Sequence, residues 1–234
     1  KNRSGTMAAS ALKPLIKTLL STAPDDVRVA AAQAAVNLNL TEAGEIFFGM
    51  VGDNKTDTKV RIAALNGLAG LKDAQLSRAI SLILNQKQKK LRAAALGLVA
   101  NLDGAAAVQH VATALSSGSM EEKQQALGSL AAINDGRADA LLTDWMKGLI
   151  AGAVPPGLRL DVLESAEKRA STGRLKTLLG QYQRQFKDGD ELAQWKIAES
   201  GGSLENGREL FMTRNDVQCL RCHKLNGTGG EAGP

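Results

Sequence analysis

The sequence predicts an all-α fold. Alanine and leucine supply most of its apolar surface, and aromatic residues make up only 3% of the chain. Alanine and leucine favour helices, whereas strands are enriched in valine, isoleucine and aromatic residues. Apolar residues also recur at spacings of three and four, as in Leu12, Leu15, Ile16 and Leu19. This spacing places them on one face of a helix.

A helical segment recurs along most of the chain. Its five copies begin at Val27, Val60, Leu91, Glu122 and Leu158, so successive starts lie 33, 31, 31 and 36 residues apart. A period in this range predicts a helical solenoid, because one helix pair cannot bury its apolar face without stacked neighbours. We therefore expect a right-handed α-solenoid of about five antiparallel helix pairs.

Two positions of the repeated segment predict contacts between helices. The small residues Ala31, Ala64, Ala95 and Ala126 are expected where adjacent helices approach closely. The second position of every copy is basic and is occupied by Arg28, Arg61, Arg92, Lys123 and Arg159. These cations would either bind loop carbonyls or acidic groups of the previous unit, or remain solvated surface charges.

Turn and cap signals separate the helices. Residues 24–26 (Pro-Asp-Asp) precede one helix, Asp53 and Asn54 lie between two others, and residues 119–122 (Ser-Met-Glu-Glu) match a capping box. Residues 7 to 170 resemble short HEAT-like repeats, and the hydrophobic-Arg-x-Ala-Ala-Leu segment carries that resemblance.

The chain divides into three parts. We assign residues 1–187 to the helical repeats, with residues 171–187 as a capping helix that covers the last apolar face. Residues 188–202 form a connecting helix and a Gly/Ser linker, and Trp195 is expected to pack at the junction. Residues 203–234 start a different domain.

The most specific signal is the run Cys219-Leu220-Arg221-Cys222-His223, which contains the only two cysteines of the chain. C-x-x-C-H is the pattern for covalent attachment of a c-type haem. Thiols three residues apart can add to the two haem vinyl groups, and the next residue can present an imidazole to the iron. Cys219 and Cys222 are thus the candidate cofactor tethers, and His223 is the candidate metal ligand.

Three other interpretations of the motif remain open. A zinc site normally has four ligands and often a second cysteine pair, which the sequence lacks. A thioredoxin-like redox pair would require a βαβ context. A structural disulfide, or two thiols without a role, is the simplest alternative.

The residues around the motif resemble class I cytochromes c. The upstream match is the Gly-x-x-Leu-Phe helix at residues 207–211, and the downstream match is a glycine-rich loop that ends at Gly233 and Pro234. The resemblance implies that Gly207 and Phe211 pack the first helix against a C-terminal helix. It also implies that the Pro234 carbonyl accepts the Nδ1 proton of His223, which makes Pro234 part of the cofactor site.

The family pattern continues beyond the point where this sequence stops. Class I cytochromes c go on to a methionine that binds the second axial position and to a helix that closes the haem crevice. We therefore expect residues 203–234 to be the incomplete start of a haem domain. The sixth ligand is unknown, because Met212 precedes the motif and His110 lies in a distant helical segment. The fragment made alone in a cytosol is expected to contain no haem.

Charge and hydropathy narrow the possible partners. The net charge is +5. The densest basic run is residues 87–92, and it lacks interleaved aromatic residues, so we do not expect nucleic acid as a partner. A basic face could instead attract an acidic redox partner. No apolar run is long enough for a membrane span. The chain starts without a methionine or signal peptide and is expected to be a piece of a longer protein.

These observations predict electron transfer through a covalent haem in an extracytoplasmic protein, periplasmic or at the cell surface. The combination resembles large secreted proteins that join a propeller dehydrogenase-like domain, HEAT-like repeats and a cytochrome c. That resemblance implies a haem that accepts electrons from an absent catalytic domain. We assign no enzymatic activity to the fragment, because it supplies no acid/base pair. The alternative is a helical-repeat scaffold that binds a protein partner on its repeat face, independently of the haem.

Overall fold

The computed structural model describes residues 5–169, 173–186, 193–202, 204–214, 216 and 218–233. These residues are helical apart from turns, loops and one short hairpin, which confirms the all-α prediction. No helix in these ranges is both long and apolar enough to cross a membrane.

Among the described residues, those from 5 to 183 form eleven α-helices in succession. They are α1 Gly5–Thr22, α2 Asp25–Asn37, α3 Gly44–Gly52, α4 Thr58–Gly70, α5 Leu76–Leu84, α6 Lys89–Leu96, α7 Gly104–Ser117, α8 Met120–Leu130, α9 Gly136–Ile150, α10 Pro156–Arg169 and α11 Gly173–Gln183. Short 3-10 helices lie at Thr41–Ala43 and Val99–Asn101, and a longer one at Ala193–Glu199.

These helices lie in two rows. The even-numbered helices α2, α4, α6, α8 and α10 contact one another in chain order, and each packs on the odd-numbered helix before it. The odd-numbered row runs from α1 to α3 and α5, and again from α7 to α9 and α11, with the 3-10 helix Val99–Asn101 between α5 and α7. The apolar core lies between the rows and includes Leu20, Phe47, Leu65, Ile80, Leu127 and Leu142.

Small residues permit the close approach of the helices. Ala31, Ala64, Ala95 and Ala126 are all buried, as expected for positions between helices. Gly67 is one such position, because a Cβ atom there would lie 2.5 Å from the ring of the buried Phe47. Two hydroxyls also connect neighbouring even-numbered helices: Ser129 donates to the Leu96 carbonyl at 2.6 Å, and Ser165 to the Leu127 carbonyl at 2.8 Å.

The recurring arginines bind backbone carbonyls either in the last turn of the preceding helix, as Arg28 and Arg61 do, or in the loop that follows it, as Arg92 and Arg159 do. The last carbonyls of a helix have no partner within it, so a side-chain donor there satisfies a group that folding leaves open. The Nε–H groups of Arg28, Arg61 and Arg159 donate to the carbonyls of Leu20, Val51 and Val154, and Nη1 of Arg92 donates to that of Gln86. The corresponding cation of α8 is Lys123, which is half-buried.

Two of these arginines also join one helix pair to the next. Arg61 is fully buried, and its guanidinium donates to the side-chain oxygens of Gln86 and Gln88 at 2.7 and 2.8 Å. Arg92 donates to Glu122 of α8 at 2.6 Å. The acidic partner of Arg92 belongs to the following unit and not to the previous one, whereas its bond to the Gln86 carbonyl is the expected contact with a loop carbonyl.

The predicted capping box is present at the start of α8. The Ser119 hydroxyl accepts from the Glu122 N–H, and the Glu122 carboxylate accepts from the Ser119 N–H at 2.8 Å. Burial raises the pKa of Glu122, but the hydrogen bonds from Arg92 and Ser119 outweigh burial and hold that pKa below its usual value. Glu122 thus caps a helix and neutralises a neighbouring cation at once.

Asp135 caps α9 and makes stability depend on pH. Hydrogen bonds from the Arg137 side chain and backbone lower the pKa of Asp135 from 3.8 to about 2. Because the folded pKa lies below the unfolded one, this stabilisation is present above about pH 4 and is lost as the pH falls toward 2. We expect the free energy of unfolding, measured by urea denaturation, to fall more between about pH 4 and pH 2 for the wild type than for Asp135→Asn. Parallel losses would contradict this assignment.

Candidate functional site

The site is carried by the segment after the helical rows. The 3-10 helix Ala193–Glu199 packs on α10, and the half-buried Ile197 contacts the apolar core. Gly201 and Gly202 follow with positive φ angles of 99° and 75°, which favour glycine. A Cβ atom on Gly201 would lie 2.9 Å from the Gly157 carbonyl, so the chain leaves the rows close against the start of α10. The side chain of Trp195 lies outside what the structure describes.

The cysteine motif forms one helical turn. The segment comprises α12 Leu204–Thr213, α13 Cys219–Cys222, β1 Lys224–Leu225 and β2 Thr228–Gly229. Cys219 is half-buried, Cys222 is exposed, and both are free thiols. Residues three apart in a helix lie on the same face, so both thiols are available on one side of the turn. The chain then leaves the helix at His223, whose N–H donates to the Cys219 carbonyl at 2.9 Å.

A hairpin and a returning loop close over this turn. β1 and β2 pair antiparallel around Asn226 and Gly227, whose positive φ angles of 51° and 85° fit a two-residue hairpin turn. The chain then runs back along α13. The Gly230 N–H donates to the Leu220 carbonyl at 2.8 Å, and the Gly233 N–H donates to the Cys222 carbonyl at 2.6 Å.

Glycine is required where this loop touches the motif. A Cβ atom on Gly229 or Gly230 would overlap the carbonyl oxygens of His223 and Arg221, respectively. A Cβ atom on Gly233 would lie 2.9 Å from both Nδ1 and Cε1 of the His223 ring. The backbone of the loop therefore lies directly against the motif.

The His223 imidazole is held from two sides. The Phe211 ring of α12 lies 6.3 Å from it between centroids, at an interplanar angle of 56°. Gly233 lies beside its Nδ1–Cε1 edge, where an added Cβ atom would be 2.9 Å from either atom, and His223 is half-buried. An imidazole fixed in this way presents a defined nitrogen to a ligand, as axial histidines do.

No protein-family model matches this chain, and no curated protein is significantly similar to it. The arrangement of its own residues is therefore the evidence on function.

The donor set fits a covalently attached haem. Two free thiols lie on one turn, and the adjacent imidazole is restrained by Phe211 and Gly233. Such a haem needs only one protein nitrogen at the proximal position, because the porphyrin supplies four more. Within the described ranges, no group of three or more His, Cys, Asp and Glu residues could hold a metal ion by itself. The strands described are β1 and β2, which form a hairpin and not a βαβ unit.

The other candidate ligands are not brought to His223 by any contact described. His110 lies in α7 and lines a cavity of about 290 Å³ with Arg92 and Glu122, and every residue lining this cavity belongs to residues 84–122. Met212 is half-buried in α12. Pro234, implied as the acceptor for the His223 ring, lies outside the described residues.

Two features of the site were not predicted from sequence. The hairpin was expected only as a glycine-rich loop, although the Asn-Gly pair is a recognised turn signal. The contact between Phe211 and His223 was also missed, because the resemblance places Phe211 against a C-terminal helix. No spacing rule connects two residues that lie twelve positions apart across a loop.

Gly233→Ala is expected to displace the His223 ring. The added methyl group would lie 2.9 Å from Nδ1, so either the ring or the loop must move. We expect a destabilisation of about 1–2 kcal/mol and, in the haem-loaded protein, a shifted Soret band. Ala232→Ser adds one heavy atom at the exposed neighbouring position and is the control. Identical spectra and stability for both variants would show that Gly233 does not restrain the ring.

Proposed function

We propose that this protein transfers electrons through a c-type haem attached at Cys219 and Cys222 and ligated by His223. The observation that carries the proposal is the single turn with two free thiols beside an imidazole held by Phe211 and Gly233. The haem iron would supply the one-electron chemistry by cycling between its ferric and ferrous states.

Attachment requires no oxidant. Each thiol adds across one vinyl group, with the sulfur bonded to one carbon and the hydrogen transferred to the other. The exposed Cys222 and the half-buried Cys219 present their sulfur atoms on the same face of α13. His223 would bind iron through Nε2, because its Nδ1 edge faces Gly233. In bacteria this attachment takes place outside the cytosol, so the proposal implies a periplasmic or cell-surface protein.

We infer that the two rows of helices form a right-handed α-solenoid of HEAT-like repeats. Three features support this: the recurrence of the Arg-containing helix, its place in the even-numbered row, and its contacts with the same helix of the next pair. In the electron-transfer proposal the solenoid is a spacer or docking scaffold that positions the haem segment.

A second candidate function is a protein-binding scaffold. Grooves on the even-numbered row favour it, including one of about 400 Å³ between α2 and α4. It is lined by Val29, Gln33, Val36, Ile62 and Asn66, among others. In that case, variants on this row would abolish capture of a partner while leaving the haem unaffected.

The deciding experiment is expression of the protein in a host that has the haem-attachment machinery. We expect stoichiometric haem that stays bound after denaturation and has a thioether haem spectrum. Absence of haem under these conditions would refute the electron-transfer proposal and leave the scaffold as the better account.

A further inference from the structure

The turn between β1 and β2 consists of Asn226 and Gly227, and both residues are exposed. Asparagine followed by glycine is a reactive pair. Glycine has no side chain to shield its backbone nitrogen, so this nitrogen can attack the carboxamide carbon of the preceding asparagine. Within the part of the chain that the structure describes, no hydrogen bond engages the Asn226 carboxamide or the Gly227 N–H. Both reacting groups are therefore open to solvent.

The hairpin offers little resistance to the movement that this attack requires. β1 and β2 contain two residues each, so only two residue pairs flank the turn. A ladder this short is held by few hydrogen bonds and opens locally at a small cost in free energy. Local opening allows the Gly227 nitrogen to approach the Asn226 side chain.

The same pair occurs in α4 as Asn66 and Gly67, where the structure protects it. Asn66 is exposed, as Asn226 is, but Gly67 is buried against the Phe47 ring. As an interior residue of α4, Gly67 donates its N–H to the carbonyl four residues earlier. Moving this nitrogen requires a core helix to open. The chain therefore holds two copies of one reactive pair in opposite settings.

We propose that Asn226 is a site of spontaneous deamidation that alters the candidate haem site as the protein ages. The Gly227 nitrogen bonds to Cγ of Asn226, the bond from Cγ to the side-chain nitrogen breaks, and ammonia leaves with the Gly227 proton. Water then opens the succinimide ring at either carbonyl. The products are aspartate and isoaspartate at position 226, and their formation consumes only water.

Isoaspartate changes the loop that holds His223. Its backbone runs through the former side chain, so the turn becomes longer by one atom. Gly229 and Gly233 follow this turn, and their backbone lies against His223, so a longer turn must displace these contacts. Aspartate adds a negative charge but keeps the ordinary backbone. The deamidation does not rest on the proposed function, whereas its effect on a haem does.

The test follows deamidation of the purified protein by peptide mass spectrometry and by isoaspartate methyltransferase labelling. In the native protein we expect Asn226 to convert at least about tenfold faster than Asn66, because α4 must open first. In urea the two rates should become similar, since leucine precedes both pairs. Conversion should accelerate as the pH rises, because the attacking nitrogen must lose its proton. Asn226→Gln is the control, because its attack would close a six-membered ring, which forms more slowly.

The outcomes separate the modification from the haem. Equal native rates at Asn66 and Asn226, or an Asn226 that stays intact, would overturn the proposal. In haem-loaded protein, the isoaspartate fraction should show a shifted Soret band, and Asn226→Asp should not. Identical spectra would overturn the effect on the haem site. Conversion of Asn226 in protein that takes up no haem would support the modification and refute the electron-transfer function.

Discussion

Replacing Cys219 and Cys222 together by serine is expected to abolish covalent haem in protein matured in a host that has the haem-attachment machinery. A serine hydroxyl does not form the stable bond to the vinyl carbon that a thiol forms, so neither attachment can occur. The loss should be complete in mass spectrometry of the denatured chain and in its visible absorbance. Each single variant should retain haem through one thioether, and the unreacted vinyl group should move the absorbance to longer wavelength.

The control is the chain's other histidine. His110 lines its own cavity in the helical rows, so His110→Ala is expected to leave both haem content and spectrum unchanged. A changed spectrum in this variant would instead make His110 a ligand. Covalent haem that persists in the double cysteine variant would contradict the assigned attachment site.

Arg61→Ala is expected to have the largest effect on stability among the recurring arginines. The change would leave the Val51 carbonyl and the side chains of Gln86 and Gln88 without their donor, and it would open a cavity in the buried site. Removing one partner from a buried charged network costs about 3–5 kcal/mol. Thermal denaturation should therefore show a melting temperature lower by on the order of 10 °C.

An exposed arginine provides the comparison. The Arg137 side chain is 62% exposed and pairs with Asp135, so Arg137→Ala should lower the melting temperature far less than Arg61→Ala. The melting temperature of Arg61→Lys should lie between those of Arg61→Ala and Arg137→Ala, because a lysine keeps the charge but lacks the planar set of donors. Unchanged melting temperatures for both Arg61→Ala and Arg92→Ala would rule out a role of these residues in joining the helix pairs.

The helices were predictable because their signals are local. Alanine-rich apolar spacing and the Ser119 capping box both act within one or two helical turns. The differences in burial and in partners among the recurring arginines were not predictable. Arg61 and Arg159 follow similar apolar residues, yet only Arg61 is fully buried. Its partners Gln86 and Gln88 follow 25 and 27 residues later, where no local rule connects them.

The candidate site likewise has a part that the sequence predicts and a part that it does not. Cys219, Cys222 and His223 follow from a contiguous motif whose spacing has a chemical reason. The surroundings of His223 depend on how the chain returns after the Asn-Gly turn, and that return brings Gly233 to the ring. A pattern of residue types specifies the reacting atoms, whereas tertiary contacts decide how tightly they are held.

The links from Arg61 and Arg92 to the units that follow them limit how this array can evolve. Deleting α5 and α6 would remove Gln86 and Gln88 and leave Arg61 without its side-chain acceptors, and inserting a helix pair after α6 would separate Arg92 from Glu122. A recombination event there would create an orphan cation in an apolar interior. The middle of the two helical rows therefore resists the loss or gain of a helix pair.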